Sequence, residues 1–277
     1  MDLDDIDIIV NRNSLRKLLD FAAGKRQDPF RIDLHLVHQT LFLTRREKSA
    51  RVMMGCNRNT RGYGQNFEKT FTTPVAGLNS SSSHHRVIKY RLGSLICAVR
   101  FEIDAQYPSG SGASDVQPDT EDLAAAVEHL ALESPLTPKH QAGSVRVSLA
   151  GHPVPASRLA ELKAKKKVQT SQALPQLWFG RTPYLITGRH VDGKVEKIMC
   201  THAAELFVGW EVQHQGSLRK MVNLLAWLRE KVGGMKKGRA VLVHDNSGGE
   251  LQILEGVGLE AVLPAEVIKK YWAGRRR

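Results

Sequence analysis

The sequence has little cysteine, no long apolar run and no basic residue near its start. Its 277 residues include three cysteines (Cys56, Cys97 and Cys200), none in a C-x-x-C pair, which excludes a disulfide scaffold and a cysteine-rich zinc module. No run of about 18 apolar residues is present, which excludes a membrane-spanning helix. The first ten residues hold four aspartates and no base, unlike a secretory or transit peptide. We therefore expect a protein of the nucleus or cytoplasm, with no membrane partner.

Basic residues are also absent from one long stretch of a chain that is otherwise basic. The 40 lysines and arginines outnumber the 28 acids, for a formal net charge of +12. Residues 101–138 contain eight acids and no base, so the remainder carries +20. A positive excess suits a polyanionic partner such as nucleic acid, although solubility alone also explains it. Part of this stretch is rich in Ser, Gly and Pro, and we interpret about 106–152 as a flexible acidic insert.

Hydrophobic periodicity predicts a mixed α/β protein whose strands come mostly as hairpins. The Asp192-Gly193 pair fits a type I′ turn between two strands. Residues 159–170 have the composition of a helix, although a short strand also fits. The predicted hairpins are 86–104, 183–198 and 239–255, and 31–43 is predicted as a strand or a hairpin. The predicted helices are 11–19, 119–132 and 217–232, with a short one near the C-terminus.

Glu102 and Asp104 form the clearest local signal for chemistry. Residues two apart in a strand face the same side, so both carboxylates would project together while Ile103 faces the core. Adjacent carboxylates repel and raise each other's pKa unless a cation lies between them. Mg²⁺ or Mn²⁺, which take oxygen ligands, would be that cation. The alternative is a strand end that emerges into solvent, and for this pattern alone it is the commoner case.

Two further patterns add acids and a lysine. If 159–165 is a strand, Glu161 and Lys163 share a face, as a metal ligand and a lysine do in phosphodiester nucleases. A helix with a solvated lysine run is the alternative. Glu68 follows a Gly-Tyr-Gly sequence that predicts a turn, a weak signal by itself. The sequence has no P-loop, no G-x-S-x-G and no H-E-x-x-H, so those mechanisms receive no support.

The order of these motifs resembles the decapping exoribonuclease (DXO) family, and is most similar to its short, divergent fungal members. The matching stretches are NRNSLRKLL with Arg12, RGYGQNFE with Glu68, YRLGSLICAVRFEIDA with Glu102 and Asp104, AELK with Glu161 and Lys163, and QLWFGRTPYLITGRHVDGKV with Gln176. The resemblance covers nearly the whole chain apart from the insert. It implies an α+β fold of two twisted mixed β-sheets packed together with flanking helices, a nuclease-like core, in a single domain over 1–277.

The resemblance also implies a metal-dependent hydrolase of RNA 5′ ends. Family members remove incomplete or atypical caps, 5′-triphosphates or NAD caps, and some then degrade RNA from 5′ to 3′. Lys163 and Gln176 would contact the scissile phosphate or the attacking water, and Arg12 would clamp a 5′ phosphate. A 5′–3′ exoribonuclease partner and a nuclear location follow from the same resemblance. The ligands of one or two Mg²⁺ or Mn²⁺ would be Glu68, Glu102, Asp104, Glu161 and the Leu162 carbonyl.

Two other functions remain open at the level of the sequence. A non-catalytic RNA-binding or exonuclease-partner protein of the same fold would bind RNA with steep salt dependence and no turnover. A structure-specific DNA nuclease would cleave duplex DNA, because restriction-type nucleases share the E-x-D and E-x-K patterns.

Overall fold

The computed structural model describes most of the chain outside the acidic insert. By its contacts the chain divides into a large unit, 1–73, 81–107 and 154–277, and a small unit, 74–80 and 108–153. The helix predicted over 119–132, and the insert beyond its first two residues, lie outside the described residues. The described residues are 3–25, 28–46, 63–75, 77–79, 81, 83–107, 153–167, 169–245 and 250–272.

Eleven strands in the described residues form two mixed sheets, as the resemblance implied. The larger sheet has the order β11-β10-β2-β3-β1-β5-β4, and the smaller one has the order β6-β7-β8-β9. β1 is parallel to β3 and β5, β7 is parallel to β8, and the other neighbours are antiparallel. The strands are β1 (Ile8–Asn11), β2 (Phe30–Val37), β3 (Thr40–Arg46), β4 (His84–Leu92), β5 (Leu95–Ile103), β6 (Ala105–Gln106), β7 (Leu159–Lys165), β8 (Tyr184–Val191), β9 (Lys194–His202), β10 (Arg239–His244) and β11 (Leu251–Glu255).

The three predicted hairpins are confirmed, 31–43 proves to be a hairpin of β2 and β3, and the ambiguous segment at 159–165 is a strand. Asp192 and Gly193 both have positive φ, 47° and 91°, as a type I′ turn between β8 and β9 requires. The helix favoured by composition at 159–170 is wrong, because the segment pairs with β6 and β8 as β7. This pairing buries Ala160 and Leu162 against Phe67, which a solvated helix would leave exposed.

Five α-helices in the described residues flank the sheets. They are α1 (Arg12–Ala22), α2 (Tyr63–Phe71), α3 (Thr170–Gly180), α4 (Phe207–Gly233) and α5 (Ala265–Tyr271). α4 begins ten residues before the predicted helix at 217, and nothing in the sequence pattern predicted α3. None of the helices among the described residues is long and apolar enough to cross a membrane.

The main core lies between the larger sheet and three helices. α1, α3 and α4 bury apolar side chains against one face of the sheet, where Leu18, Phe179 and Leu225 are fully enclosed. α5 leads to Trp272, which covers Phe42 on the opposite face and donates a hydrogen bond from Nε1 to Oγ1 of Thr40 at 2.9 Å. The two sheets meet where Phe101 and Ile103 of β5 pack against Leu159 of β7.

Candidate functional site

Two motifs that are far apart in sequence meet where the chain passes from the larger sheet to the smaller one. β5 ends at Ile103, and β6 begins at Ala105 and pairs with β7. Asp104 lies between these strands, and its Oδ2 accepts a hydrogen bond from the amide of Leu162 at 2.8 Å, across 58 residues of sequence. The E-x-D and E-x-K motifs are therefore neighbours in space.

Glu161 contacts three of the other candidate side chains and is buried, with 2% of its surface exposed. Its Oε1 accepts hydrogen bonds from Nζ of Lys163, at 2.5 Å, and from Nε2 of Gln176 on α3. Its Oε2 lies 3.3 Å from Nη1 of Arg12 on α1, an ion pair that lacks hydrogen-bond geometry. Because β7 is a strand, Glu161 and Lys163 share a face, as the strand reading of E-x-K predicts.

The other two predicted acids, Glu68 and Glu102, lie on elements beside Glu161 and Asp104. Glu68 lies on α2, whose Phe67 packs against β7 and β8. The turn predicted before it is wrong, because Tyr63 and Gly64 are the first residues of this helix. Glu102 is an exposed residue of β5, and its backbone carbonyl accepts a hydrogen bond from Nη2 of Arg12 at 3.3 Å.

Burial and like charge raise the pKa of two of these carboxyls. The pKa of Asp104 rises to about 7, first through burial and then through repulsion from Glu161, against the lowering effect of Lys163. Burial also raises the pKa of Glu68, and both Glu161 and Glu102 add repulsion. The sequence predicted repulsion between Glu102 and Asp104, but the acids that repel Asp104 are Glu161 of β7 and, more weakly, Glu68 of α2.

The chemistry of these donors fits a hard divalent cation. All the candidate ligands are oxygens, and Oε2 of Glu161 is buried without a hydrogen-bond partner. A cation would relieve the repulsion among the acids. Within the part of the chain that the structure describes, no three His, Cys, Asp or Glu side chains are grouped closely enough to hold a metal ion. The ligand set Glu68, Glu102, Asp104, Glu161 and the Leu162 carbonyl therefore stays a prediction.

Arg12, the predicted phosphate clamp, is enclosed in the protein, with 6% of its surface exposed. Its guanidinium lies over the ring of Phe101, 5.2 Å from the centroid, and beside Glu161. Nε and Nη1 are buried without hydrogen-bond partners. In this arrangement Arg12 holds Glu161 in place, and its contact with a 5′ phosphate stays a prediction.

Arg16, which the motifs did not single out, lies beside the group at a small cavity. The cavity measures about 90 Å³ and is lined by Arg16, Lys163, Lys165, Gln176 and neighbouring residues of α3 and β8. Nη1 of Arg16 donates a hydrogen bond to Oε1 of Gln176 at 3.3 Å. Burial and repulsion from Arg12 lower the pKa of Arg16. The four-residue spacing from Arg12 on one helix face was the signal in the sequence.

The described fold is similar to solved structures of three yeast proteins. Schizosaccharomyces pombe (S. pombe) Rai1 in complex with 3′-FADP has a TM-score of 0.58 and 13% identity, covering 91% of this chain and 72% of that one. Candida albicans Rai1 in complex with pU5 and Mn²⁺ has a TM-score of 0.58 and 14% identity, covering 96% and 71%. K. lactis Dxo1 in complex with manganese has a TM-score of 0.55 and 8% identity, covering 95% and 69%. These likenesses confirm the expected DXO-like fold, and at such identities they show the fold alone.

Sequence comparison gives a second finding. A family model described as a domain of unknown function (DUF8563) matches residues 1–272. No curated protein matches the sequence.

Proposed function

The chain belongs to the family described as a domain of unknown function (DUF8563), and we propose that it is a metal-dependent hydrolase of RNA 5′ ends. One observation carries the proposal. Lys163 and Gln176 each donate a hydrogen bond to Glu161, and Asp104 accepts one from the amide of Leu162, the residue between Glu161 and Lys163. Acids beside a lysine and an amide, next to a basic cavity, suit the hydrolysis of phosphate esters or anhydrides.

The proposed cation is Mg²⁺ or Mn²⁺, held by Glu68, Glu102, Asp104, Glu161 and the Leu162 carbonyl. When bound, it would polarise the phosphate and lower the pKa of water. Complexes of the similar proteins with Mn²⁺ and, for Scheffersomyces stipitis Rai1, with a calcium ion support this choice.

The protein's own donors bind and orient the phosphate. Lys163 and Gln176 line the 90 Å³ cavity and also contact Glu161, so a phosphate in that cavity lies within reach of both donors. Arg16 adds a third donor from α1. Arg12 keeps the Glu161 carboxylate oriented through its buried ion pair with Oε2. These groups fix the phosphate by charge-assisted hydrogen bonds.

An RNA 5′ end is the proposed substrate. The complexes of the similar proteins with pU5 and 3′-FADP support a nucleotide ligand at this fold, and the basic body of the chain suits a polyanion. The proposed bonds are those of incomplete or atypical caps and 5′-triphosphates, with 5′–3′ exonuclease action as a second step. A nuclear location and a 5′–3′ exoribonuclease partner belong to the same proposal.

The test offers the protein one RNA body with different 5′ ends. The ends are triphosphate, incomplete cap, NAD cap and, as a control, hydroxyl, each with Mn²⁺, with Mg²⁺ and with EDTA. We expect a shortened 5′ end only with metal. Asp104→Asn should lower the rate by about 100-fold or more, whereas Glu266→Gln, which changes an exposed acid of α5 on the opposite face of the larger sheet, should not. No product from any RNA with either metal would refute the proposal.

A non-catalytic RNA-binding protein is the second candidate, because one observation favours it. Arg12 and Lys163 already balance the charge of Glu161 without a cation. This candidate predicts RNA binding that weakens steeply with salt and no product in the same assay. Cleavage of duplex DNA in place of RNA 5′ ends would instead favour a DNA nuclease.

A further inference from the structure

A second, larger cavity adjoins the one at Lys163 and has no part in the proposed site. It measures about 280 Å³ and is lined by Lys166, Lys167, Thr187, Arg189, Lys197 and Met199. Thr187 lines both cavities, so the two are neighbours on the same face of the smaller sheet. Four of its six lining residues are basic.

The register of the smaller sheet explains how this basic surface is built. Lys163 pairs with Thr187 on β8, and Thr187 pairs with Met199 on β9. Residues that pair across neighbouring strands lie side by side on one face of a sheet. This row therefore crosses three strands from the candidate site to the edge strand β9.

A second row runs parallel to the first, nearer to solvent. Lys165 pairs with Arg189, and Arg189 pairs with Lys197. Strands lie about 4.8 Å apart, so the two ends of this row are about 10 Å apart. On the opposite face of the sheet, Phe67 of α2 packs against β7 and β8. On the basic face, Arg189 and Lys197 are exposed to solvent.

Acids near the basic row do not cancel its charge. Lys166 pairs with Asp192 at 2.9 Å and Arg189 pairs with Glu196 at 3.0 Å. All four side chains are at least 41% exposed, and exposed ion pairs contribute little energy, so a phosphate can displace them. Among the residues that the structure describes, none forms an ion pair with Lys197.

We infer that RNA downstream of the 5′ end runs single-stranded across β7, β8 and β9, with its phosphates on the row of Lys165, Arg189 and Lys197. The exposed side chain of Met199 offers an apolar contact to a base or ribose beside them. Such a track binds the backbone without reading sequence, and its affinity depends on salt. The inference rests on the proposed function only in placing the 5′ end at Glu161 and Lys163.

Binding to a 20-nucleotide and a 3-nucleotide single-stranded RNA tests the track, by fluorescence anisotropy over a series of salt concentrations. The variant R189Q/K197Q removes two charges from the row. The control K269Q/K270Q removes two charges from α5, which lies on the far face of the larger sheet. Circular dichroism verifies that both variants are folded.

We expect the track variant to bind the long RNA about tenfold more weakly. The slope of log K against log salt should fall by about 1.4, or about 0.7 for each lost phosphate contact. Binding of the short RNA should not change, and the control should match the wild type. Equal losses in both variants, an unchanged affinity in the track variant, or no RNA binding by the wild type would overturn the inference.

The 5′-end assay separates this inference from the proposed function. A wild-type protein that binds the long RNA through the row but yields no product contradicts only the proposed hydrolysis. A wild-type protein that yields product, together with a track variant that binds normally, contradicts only the track.

Discussion

At the scale of single residues, the buried pair of Arg12 and Glu161 organises the candidate site. Both side chains are at most 7% exposed, and the acid also accepts hydrogen bonds from Lys163 and Gln176. Breaking a buried pair leaves an uncompensated charge, which costs far more than the pair contributes. The pair therefore sets both the position of Glu161 and the sensitivity of the fold to mutation there.

Single and double variants of this pair test this role. Arg12→Met should lower the free energy of unfolding by about 3–5 kcal/mol, because Glu161 is left buried among other acids. The double variant R12M/E161M should recover much of that loss, since neither charge remains. Lys163→Met should cost less, because Lys163 is 32% exposed. Urea unfolding measures the free energy of unfolding of all three variants. A loss below about 1 kcal/mol in Arg12→Met would contradict a structural role for this arginine.

At the scale of elements, a glycine sets how closely α2 approaches the smaller sheet. A Cβ at Gly188 of β8 would collide with the ring of Phe67, with Cζ at 2.8 Å. Only glycine at this position lets α2 bring Glu68 to the edge of the site. The ring cannot move aside easily because Phe67 is buried against β7.

Gly188→Ala should therefore displace α2, at a cost of about 1–3 kcal/mol in unfolding free energy, and should lower metal-dependent hydrolysis. The matched control is Gly209→Ala on α4, where a Cβ meets nothing within 4 Å. We expect this control to be neutral or slightly stabilising, because alanine favours a helix. Urea unfolding and the 5′-end assay give both readouts, and equal behaviour of the two variants would contradict the packing argument.

The same elements show what the sequence could and could not predict. The hairpins were predictable because alternation and turn residues are local signals, as at Asp192 and Gly193. α3 was missed because Pro175 lies inside it and most of its second half is buried, which leaves no apolar stripe to detect. The first ten residues of α4 were missed because only Trp210 among them is buried, and the apolar Val208 and Val212 are exposed to solvent.

For the site, the order of the motifs singled out Asp104, Glu161, Lys163 and Gln176, whose contacts the structure shows, but it did not indicate how they meet. Asp104 reaches Leu162 through the pairing of β6 with β7, a contact between distant segments that no local pattern encodes. The burial of Arg12 and the position of Arg16 at the cavity depend on how α1 packs against α3 and β7. Spacing in the sequence cannot report that packing.

At the scale of the whole molecule, the acidic insert separates two strands that pair directly. β6 and β7 are antiparallel neighbours, and the amide of Tyr107 donates a hydrogen bond to the carbonyl of Arg158 at 2.6 Å. The two ends of the connection are thus held together by backbone bonds of the large unit. The net charge of +12 combines this acidic stretch with a strongly basic body.

Replacing residues 109–152 with a short Gly-Ser linker should leave the fold and the 5′-end activity intact. A closed pair of strands tolerates changes of loop length at small entropic cost. The melting temperature should stay within about 5 °C of the wild type, and RNA affinity should rise because acids are removed. A protein that fails to fold or loses all activity would show that the insert is part of the working domain.

The central claim is that the acids around Glu161 bind a divalent cation, and crystals soaked in Mn²⁺ test it most directly. Anomalous scattering at the manganese edge should show a peak about 2.1 Å from carboxylate oxygens of both Glu161 and Asp104, and the peak should be absent from Asp104→Asn crystals. No peak at these residues at saturating Mn²⁺, or a peak only elsewhere, would contradict the account.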